Sequence, residues 1–498
     1  MRVLIKGGQV LDLSRPDKTD YRADVLVEGE TIKEVGDPSG PPAKVDRVID
    51  AEGKLVMPGL VNAHMHSETH LQKGSFSGLP LEVWLPQVVP VFSAPMLPLE
   101  VPYLSAMLGA VHMLKRGVTT TVDHWIESVP FAEGFAQVVR AYEESGIRAT
   151  VGIDMSNVPL HEELPTLGDI LPKGIKDRLG TASDPKGYLE LCRELAAKYG
   201  APARRVRAML GYSATPRCTD DLLEGLAGIS AETGLQMHGH MLETRVQRLE
   251  GTRLYKEGLL KHMDSIGFLS PRLTVAHSVW VTAQEASLMA KRGVSVVHNP
   301  VSNLRMGSGI MPRKMLHDAG VNIGLGTDGA SSNDNLNMFE VMKCAATLHN
   351  LPDYDFETWP KSTEILRYAT VGGARAAGLQ DRVGSLEPGM CADLVIVNLR
   401  STTHQPLNDI ANQLVYADDG QNVETVLVNG EVVVEHGRTT KVDEAQLLEA
   451  VAGIGKRYRA HVQGIVSTNA ELIPYLTEMY MRLIRDYETR PLEGRRFA

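Results

Sequence analysis

Between residues 58 and 379, short apolar runs alternate with amphipathic segments, and this rhythm limits the folds open to the chain. Segments with helical spacing, such as AQEASLMAKRG (283–293), separate consecutive runs. The apolar runs are predicted to be strands and lie at 55–62, 118–124, 148–155, 206–212, 235–241, 273–279, 294–300 and 321–329. Eight strands alternating with helices predict an α/β fold, a (β/α)₈ TIM-type barrel. A doubly wound open sheet is the alternative, but no glycine-rich phosphate loop follows the first run.

Both ends of the chain have a different texture. Residues 1–57 and 380–438 contain short strands with alternating apolar positions and glycine-containing turns. Neither segment is long enough to bury a large core alone, so we expect one small β-sandwich domain built from both, flanking a barrel at 58–379. Residues 439–498 have helical spacing and are predicted to form a C-terminal extension that covers the barrel or a neighbouring subunit.

Charge and cysteine content narrow the classes of partner. The formal net charge is −10 and the isoelectric point is near 5.9, which argues against binding to nucleic acid or anionic membranes. No apolar run is long enough for a membrane-spanning helix, and the N-terminus does not resemble a signal peptide. Four scattered cysteines fit a reducing compartment. We therefore expect a cytoplasmic protein that acts on a small molecule. The long C-terminal helical segment suggests a homo-oligomer, a dimer or tetramer.

Metal-competent side chains collect where the predicted barrel strands end. His64 and His66 follow the first strand, His240 the fifth, His277 the sixth and Asp328 the eighth. The carboxyl ends of barrel strands converge on one face, so residues far apart in sequence meet there. His64 and His66 are alternate residues of an extended segment and point to the same side. Any one of these residues has an ordinary structural explanation, but together they predict a metal site.

Five motifs, in this order, carry a family resemblance: PGLVNAHMH, HGHMLET, VAHSVW, VHNPVSN and GLGTDGASSN. The chain resembles the amidohydrolase superfamily, and within it the cytosine deaminase-like branch. That branch includes S-adenosylhomocysteine/methylthioadenosine deaminases, guanine deaminases and triazine hydrolases. The likeness extends to GSLEPGMCADLVIV at 384–397, where relatives re-enter the small domain.

The resemblance implies a ligand set. His64, His66, His240 and Asp328 correspond to the metal ligands; His238 is the alternative to His240, but only His240 has a glutamate, Glu243, three residues later. This set implies one divalent transition metal per subunit, with Zn²⁺ preferred and Fe²⁺ as the alternative. Relatives with two metals bridge them with a strand-4 lysine, which VRAMLGYSAT (206–215) does not contain.

The same resemblance implies catalytic roles and an activity. Asp328 would take the proton of the attacking water, His277 would stabilise the adduct, and Glu243 would protonate a ring nitrogen. The predicted function is hydrolytic deamination of an amino-substituted N-heterocycle, purine-, nucleoside- or pterin-like, by hydroxide produced at the metal. Alternatives are displacement of chloride, alkylamine or alkylthio from a triazine-like ring, or hydrolysis of a urea or amide. A non-catalytic scaffold is disfavoured because every ligand is present.

Further residues are predicted to contact substrate because they lie on the same mouth or match family segments. They are Trp84, His124, Trp125, His298, Asn303 and Ser331. Each also has a structural interpretation, since aromatic residues in such loops pack in cores as often as they stack on ligands. His70 is predicted to belong to a loop or to the pocket wall.

Overall fold

The structure, a computed structural model, describes residues 1–13, 20–36, 44–92, 96–126, 129–352 and 354–489. Both ends of the chain contribute to a nine-stranded sheet. Its strands are β1 (Arg2–Leu11), β2 (Asp20–Glu28), β3 (Thr31–Gly36), β4 (Arg47–Asp50), β5 (Lys54–Pro58), β15 (Leu394–Asn398), β16 (Val423–Val428), β17 (Glu431–Glu435) and β18 (Arg438–Thr439). The N-terminal and C-terminal halves join where β5 pairs antiparallel with β15. Apolar side chains of both halves share one core, which confirms a small β domain built from both ends.

The remaining strands are parallel to their neighbours and form the barrel. They are β6 (Leu60–Met65), β7 (Val118–Trp125), β8 (Arg148–Ile153), β9 (Val206–Ala208), β10 (Leu210–Ala214), β11 (Met237–Met241), β12 (Leu273–His277), β13 (Ser295–His298) and β14 (Asn322–Leu325). β9 and β10 are two parts of the fourth predicted strand: β9 pairs with β8, and β10 pairs with β11. The Asp328 amide donates to the His64 carbonyl at 3.0 Å, which joins the last strand to the first. The predicted fold class is confirmed.

One strand prediction was wrong. The apolar run at 55–62 is not a single strand, because β5 belongs to the small sheet and β6 to the barrel. The chain changes sheet at Gly59, where a Cβ atom would lie 2.0 Å from the Thr119 hydroxyl oxygen. Both strands are buried, so hydrophobicity alone does not show the break between them.

Helices cover the barrel and follow its strands. They are α1 (Leu81–Val88), α2 (Glu100–Leu114), α3 (Phe131–Ser145), α4 (Leu160–Glu163), α5 (Pro165–Ile170), α6 (Lys173–Leu179), α7 (Lys186–Tyr199), α8 (Asp220–Thr233), α9 (Arg245–Leu254), α10 (Leu259–Ser265), α11 (Ala283–Arg292), α12 (Pro300–Arg305), α13 (Arg313–Asp318), α14 (Met338–Leu348), α15 (Ser362–Arg367), α16 (Gly373–Ala376), α17 (Ile410–Tyr416), α18 (Glu444–Asn469) and α19 (Ile473–Thr489). Short 3₁₀-helices lie at Ser67–Gln72, Thr215–Arg217, Phe356–Thr358 and Ala470–Leu472, and a π-helical turn lies at Tyr368–Gly372. None of the described helices is long and apolar enough to span a bilayer.

Threonine caps fix where two helices leave the barrel mouth. Thr219 and Thr244 occupy the N-cap positions of α8 and α9, and each hydroxyl accepts an amide hydrogen bond from the first turn. Glu243 directly precedes one cap, and Arg217 lies two residues before the other. The caps therefore hold both side chains at the carboxyl end of the barrel.

The C-terminal helices lie against the barrel's own helices. α18 contacts α1 and α2, whereas α19 contacts α1, α5 and α9. Leu472, Leu476, Met479 and Leu483 share an apolar cluster with Val246 of α9 and with α5. The described residues therefore show that the extension covers the barrel, one of its two predicted roles. We propose the segments 1–57, 58–379, 380–438 and 439–498 as the domains of the chain. Residues 490–498 of the predicted extension lie outside the described part.

Candidate active site

The four predicted metal ligands meet at the carboxyl end of the barrel. The nitrogens His240 Nε2 and His66 Nε2 are 3.3 Å apart. Asp328 Oδ1 lies 3.5 Å from His66 Nε2 and 3.7 Å from His64 Nε2. Ligand atoms at about 2.0–2.1 Å from a tetrahedral ion are about 3.3 Å apart. The spacing of these donor atoms therefore suits one transition-metal ion.

Hydrogen bonds fix which ring nitrogen of each histidine faces the centre. His66 Nδ1 donates to the His124 carbonyl at 2.6 Å, and His240 Nδ1 donates to the Ser213 carbonyl at 2.6 Å. Each Nε2 then keeps its lone pair and points inward. His64 Nε2 is buried and has no hydrogen-bond partner among the described residues. A buried lone pair without a partner is what a metal ligand needs.

His238 lies behind the ligand cluster. Its Nε2 is 2.8 Å from His64 Nδ1, the ring nitrogen that faces away from the centre. His238 and His240 are alternate residues of β11 and point to the same side of the strand. His240, nearer the carboxyl end of β11, reaches the centre, and His238, deeper in the barrel, orients the His64 ring.

Asp328 is held in a strained position. Its φ angle is 63°, in the left-handed region that non-glycine residues rarely adopt. The Gly329 amide donates to Oδ1 at 2.6 Å, and the Ser302 hydroxyl donates to Oδ2. These bonds direct Oδ1 towards His64 and His66 and fix the second oxygen on the other side.

Burial and the neighbouring rings set the charge of the cluster. Burial, helped by the neighbouring histidines, lowers the pKa of His64 and of His240 well below its usual value, and burial also lowers the pKa of His66. These imidazoles are therefore neutral, the form that binds metal. Burial would raise the pKa of Asp328, but His277 and the hydrogen bonds from the Ser302 hydroxyl and the Gly329 amide outweigh it and lower that pKa.

His277 stands between Asp328 and Glu243. Its Nε2 lies 3.7 Å from Glu243 Oε2 and 4.0 Å from Asp328 Oδ2. Its Nδ1 donates to Asn303 Oδ1 at 2.8 Å, which fixes the ring. His277 also has a left-handed φ of 73°, so a second residue of the cluster is held in a strained conformation.

The Glu243 carboxyl is buried beside this ring. The Ser308 hydroxyl donates to Glu243 Oε1 at 3.2 Å, and the backbone amide of Glu243 donates to Gln247 Oε1 at 2.7 Å. Burial, with a smaller contribution from Asp328, raises the pKa of Glu243. A carboxyl with a raised pKa keeps a proton closer to neutral pH and can donate it.

A cavity of about 260 Å³ opens over these residues. Its walls include His66, His240, Glu243, His277 and Asp328. Much of the remaining wall is apolar and comes from α1 and the loop that follows it, 81–91. The reacting groups therefore face a pocket in which a ring can lie.

The residues predicted to contact substrate divide into two groups. Trp84 and Ser331 line the cavity. The other four lie outside its wall: His124, Trp125, His298 and Asn303. His124, Trp125 and His298 belong to strands, where the pleat decides which way each side chain points, and a short motif does not show that direction.

Each of the four outlying residues has a different surrounding. His124 Nε2 lies 3.2 Å from Asp154 Oδ2, and Asn303 orients His277. Trp125 points the opposite way from His124, into the core near Gly134 of α3. His298 Nε2 contacts His349 Nε2 at 3.1 Å. Trp125 and His298 therefore do not face the cavity. His70 is also buried away from the cavity, where its ring lies against Gly109 of α2.

Sequence reasoning missed Asp154, Ser302 and Arg217, all of which line the cavity. Asp154 follows β8, so the rule that selected the histidines at strand ends also applied to it. Burial would raise the pKa of Asp154, but His124, His240 and His66 lower it well below its usual range. Arg217 pairs with Glu163 at 2.7 Å, and no motif marked either residue.

Comparisons with known proteins agree with this geometry. Residues 55–433 match the model of the amidohydrolase family. The chain is 32% identical to 5'-deoxyadenosine deaminase of Methanosarcina mazei, over 90% of this chain and 96% of that protein. It is 35% identical to 5-methylthioadenosine/S-adenosylhomocysteine deaminase of Thermococcus onnurineus, over 87% of this chain and 94% of that protein.

Solved structures show the same architecture. A zinc-bound adenosine deaminase from Xanthomonas campestris superposes with a TM-score of 0.81 at 30% identity, covering 92% of this chain and 98% of that one. A triazine hydrolase of Arthrobacter aurescens has a TM-score of 0.80 at 24% identity, covering 91% and 99%, and shows the fold alone. The predicted superfamily is confirmed: the chain belongs to the amidohydrolase family and is a metal-dependent hydrolase.

Proposed function

We propose that this enzyme deaminates an adenosine derivative hydrolytically, with release of ammonia. The observation that carries the proposal is the position of Glu243, a buried carboxyl with a raised pKa, 3.7 Å from His277 and on the wall that also contains Asp328. A proton donor beside the nucleophile site suits attack on a ring carbon next to a basic nitrogen. The names of the relatives, deaminases of 5'-modified adenosines, favour a purine nucleoside over a pterin.

His64, His66, His240 and Asp328 would hold one divalent metal, with zinc preferred because the Xanthomonas campestris structure contains it. When bound, such an ion lowers the pKa of water to about 7 and so supplies a nucleophile at neutral pH. Iron remains the alternative in this proposal, because nitrogen and carboxylate ligands also suit Fe²⁺.

The chain's own residues would move the protons. Asp328 accepts a proton from the attacking water, and Ser302 holds the carboxylate in place through Oδ2. Glu243 gives its proton to the ring nitrogen, which raises the electrophilicity of the neighbouring carbon. His277, fixed by Asn303, hydrogen-bonds the adduct. The amino group then leaves as ammonia with the proton from Asp328, while Glu243 recovers a proton from the new hydroxyl as the carbonyl forms.

The test is ammonia release by protein loaded with one equivalent of zinc. The substrates are 5'-deoxyadenosine, 5'-methylthioadenosine, guanine, a pterin and an alkylaminotriazine. We expect the adenosines to be preferred, and Glu243→Gln to reduce kcat by at least about 100-fold, the usual contribution of general acid catalysis. If no purine releases ammonia but the triazine is turned over, the proposal is wrong and the enzyme instead displaces a leaving group from a triazine-like ring.

Two further predictions stay as proposals beside this one. We infer a cytoplasmic location and a homodimer or homotetramer from the composition and the long C-terminal helices. Fractionation of the native cell and sedimentation of the purified protein test them separately from the activity.

A further inference from the structure

A second cavity, of about 160 Å³, adjoins the catalytic one. The two share four lining residues, Val88, Val89, Pro90 and Ile126. The floor of the second cavity is the turn Ser67–Gln72, which starts directly after the proposed ligand His66. We call this cavity the side chamber. The two cavities therefore adjoin along the segment 88–90 and Ile126.

The roof of the side chamber comes from the C-terminal extension. Tyr458, His461 and Ile465 of α18 line it, and the Tyr458 hydroxyl donates to the Glu68 carbonyl at 3.2 Å. These residues lie beyond 433, the last residue that matches the family model. The side chamber is therefore partly built from a segment outside the matched family region.

The wall between the two cavities is held in place by Asn469, at the end of α18. Its Nδ2 donates to the carbonyls of Pro86 at 2.7 Å and Val89 at 3.0 Å, and its Oδ1 accepts from the Phe92 amide at 3.4 Å. Asn469 is fully buried. The extension thus fixes the segment 86–92 that both cavities share.

The lining of the side chamber is mainly apolar but contains two buried acceptors. Glu68 Oε1 and Gln72 Oε1 have no hydrogen-bond partner in the described part of the chain. The other Glu68 oxygen accepts from the Ile126 amide at 3.2 Å. Buried acceptors are costly to leave unpaired, so the chamber favours an occupant that brings a donor. An alkyl chain ending in an amine or hydroxyl has this character.

We propose that the side chamber binds the distal substituent of the substrate, an alkyl or alkylthio chain that ends in a hydrogen-bond donor. This inference rests on the proposed function and makes the C-terminal extension a specificity element. The apolar walls bind the chain, and Glu68 and Gln72 accept its terminal hydrogen bonds. Substrates without such a chain use the catalytic cavity alone.

The test compares kcat/KM for 5'-methylthioadenosine and for 5'-(4-aminobutylthio)-5'-deoxyadenosine. Ile465→Trp fills the roof of the chamber, and Gln463→Trp, on the exposed side of the same helix, is the matched control. We expect Ile465→Trp to lower the ratio of long-chain to short-chain kcat/KM at least about tenfold, and Gln463→Trp to leave the ratio unchanged. An unchanged ratio in Ile465→Trp overturns the proposal.

Two arms keep the test decisive. If Ile465→Trp does not fold, Gln72→Leu replaces it; the aminobutylthio substrate should then lose its advantage over the butylthio analogue, and a retained advantage counts against the chamber. If the wild type deaminates neither nucleoside, the proposed function has failed, and crystals soaked with 4-(methylthio)butylamine decide the inference alone. Electron density for the amine in the chamber supports the site, and its absence overturns it.

Discussion

His238 should control metal affinity without being a ligand. Its Nε2 lies 2.8 Å from His64 Nδ1, and it belongs to the same strand as the proposed ligand His240. His238→Leu would remove the acceptor and leave the buried Nδ1–H of His64 unpaired. That loss costs about 1–3 kcal/mol, or about 5- to 150-fold in the zinc dissociation constant. Losses of about 10- to 100-fold are common when a metal ligand loses its hydrogen-bond partner.

The assay is competition for zinc against a chromophoric chelator at fixed pH. His238→Gln is the matched control, because its side-chain oxygen can accept the His64 hydrogen bond and should restore most of the affinity. His240→Ala should lose stoichiometric zinc under the same conditions. The reasoning fails if His238→Leu binds zinc as tightly as the wild type, or if it loses zinc as completely as His240→Ala.

Three further outcomes follow from other contacts. Burial of the Glu82 carboxyl outweighs its hydrogen bond from Thr244 and raises the pKa of Glu82 to about 7. Between pH 4.5 and 7 the folded chain therefore keeps a proton that the unfolded chain has lost, so the free energy of unfolding falls as the pH rises. Glu82→Gln removes this loss, so calorimetry should show a gain over the wild type that grows by up to about 3 kcal/mol between pH 4.5 and 8; a pH-independent difference contradicts this. Asn469→Ala leaves the Pro86 and Val89 carbonyls unpaired and should lower the free energy of unfolding by about 1–3 kcal/mol in a denaturant titration. It should also raise KM more than it lowers kcat, whereas unchanged stability and kinetics would show that the contact is dispensable. Removing metal with a chelator should lower the unfolding temperature and abolish turnover, both reversibly on adding zinc, since a ligand bound only by the folded state stabilises it; chelator-treated protein that contains no metal yet keeps full activity would refute the metal centre.

Local pattern carried much of the prediction. Strand and helix periods are properties of neighbouring residues, so eight strands could be counted from the sequence and the barrel inferred. Because the carboxyl ends of barrel strands share one face, His64, His66, His240 and Asp328 could be assigned to one site although 264 positions separate the first from the last. The structure brings these four residues together, with His277 and Glu243 beside them.

Only the tertiary structure decided which way each side chain points and how deeply it is buried. His124 and Trp125 are neighbours in sequence, yet one faces the barrel interior and the other packs in the core near α3, because side chains alternate along a strand.

Long-range packing decided the rest. The run 55–62 looks like a single strand, although the predicted domain boundary falls at 57/58, because the strands on both sides of Gly59 are buried. Asn469 reaches Pro86 across 383 positions. The sequence by itself thus determined the strands, their order and the residues that can bind metal. Which side chains form the pocket, and that the C-terminal helices complete it, depends on contacts between distant segments, and no local period encodes such contacts.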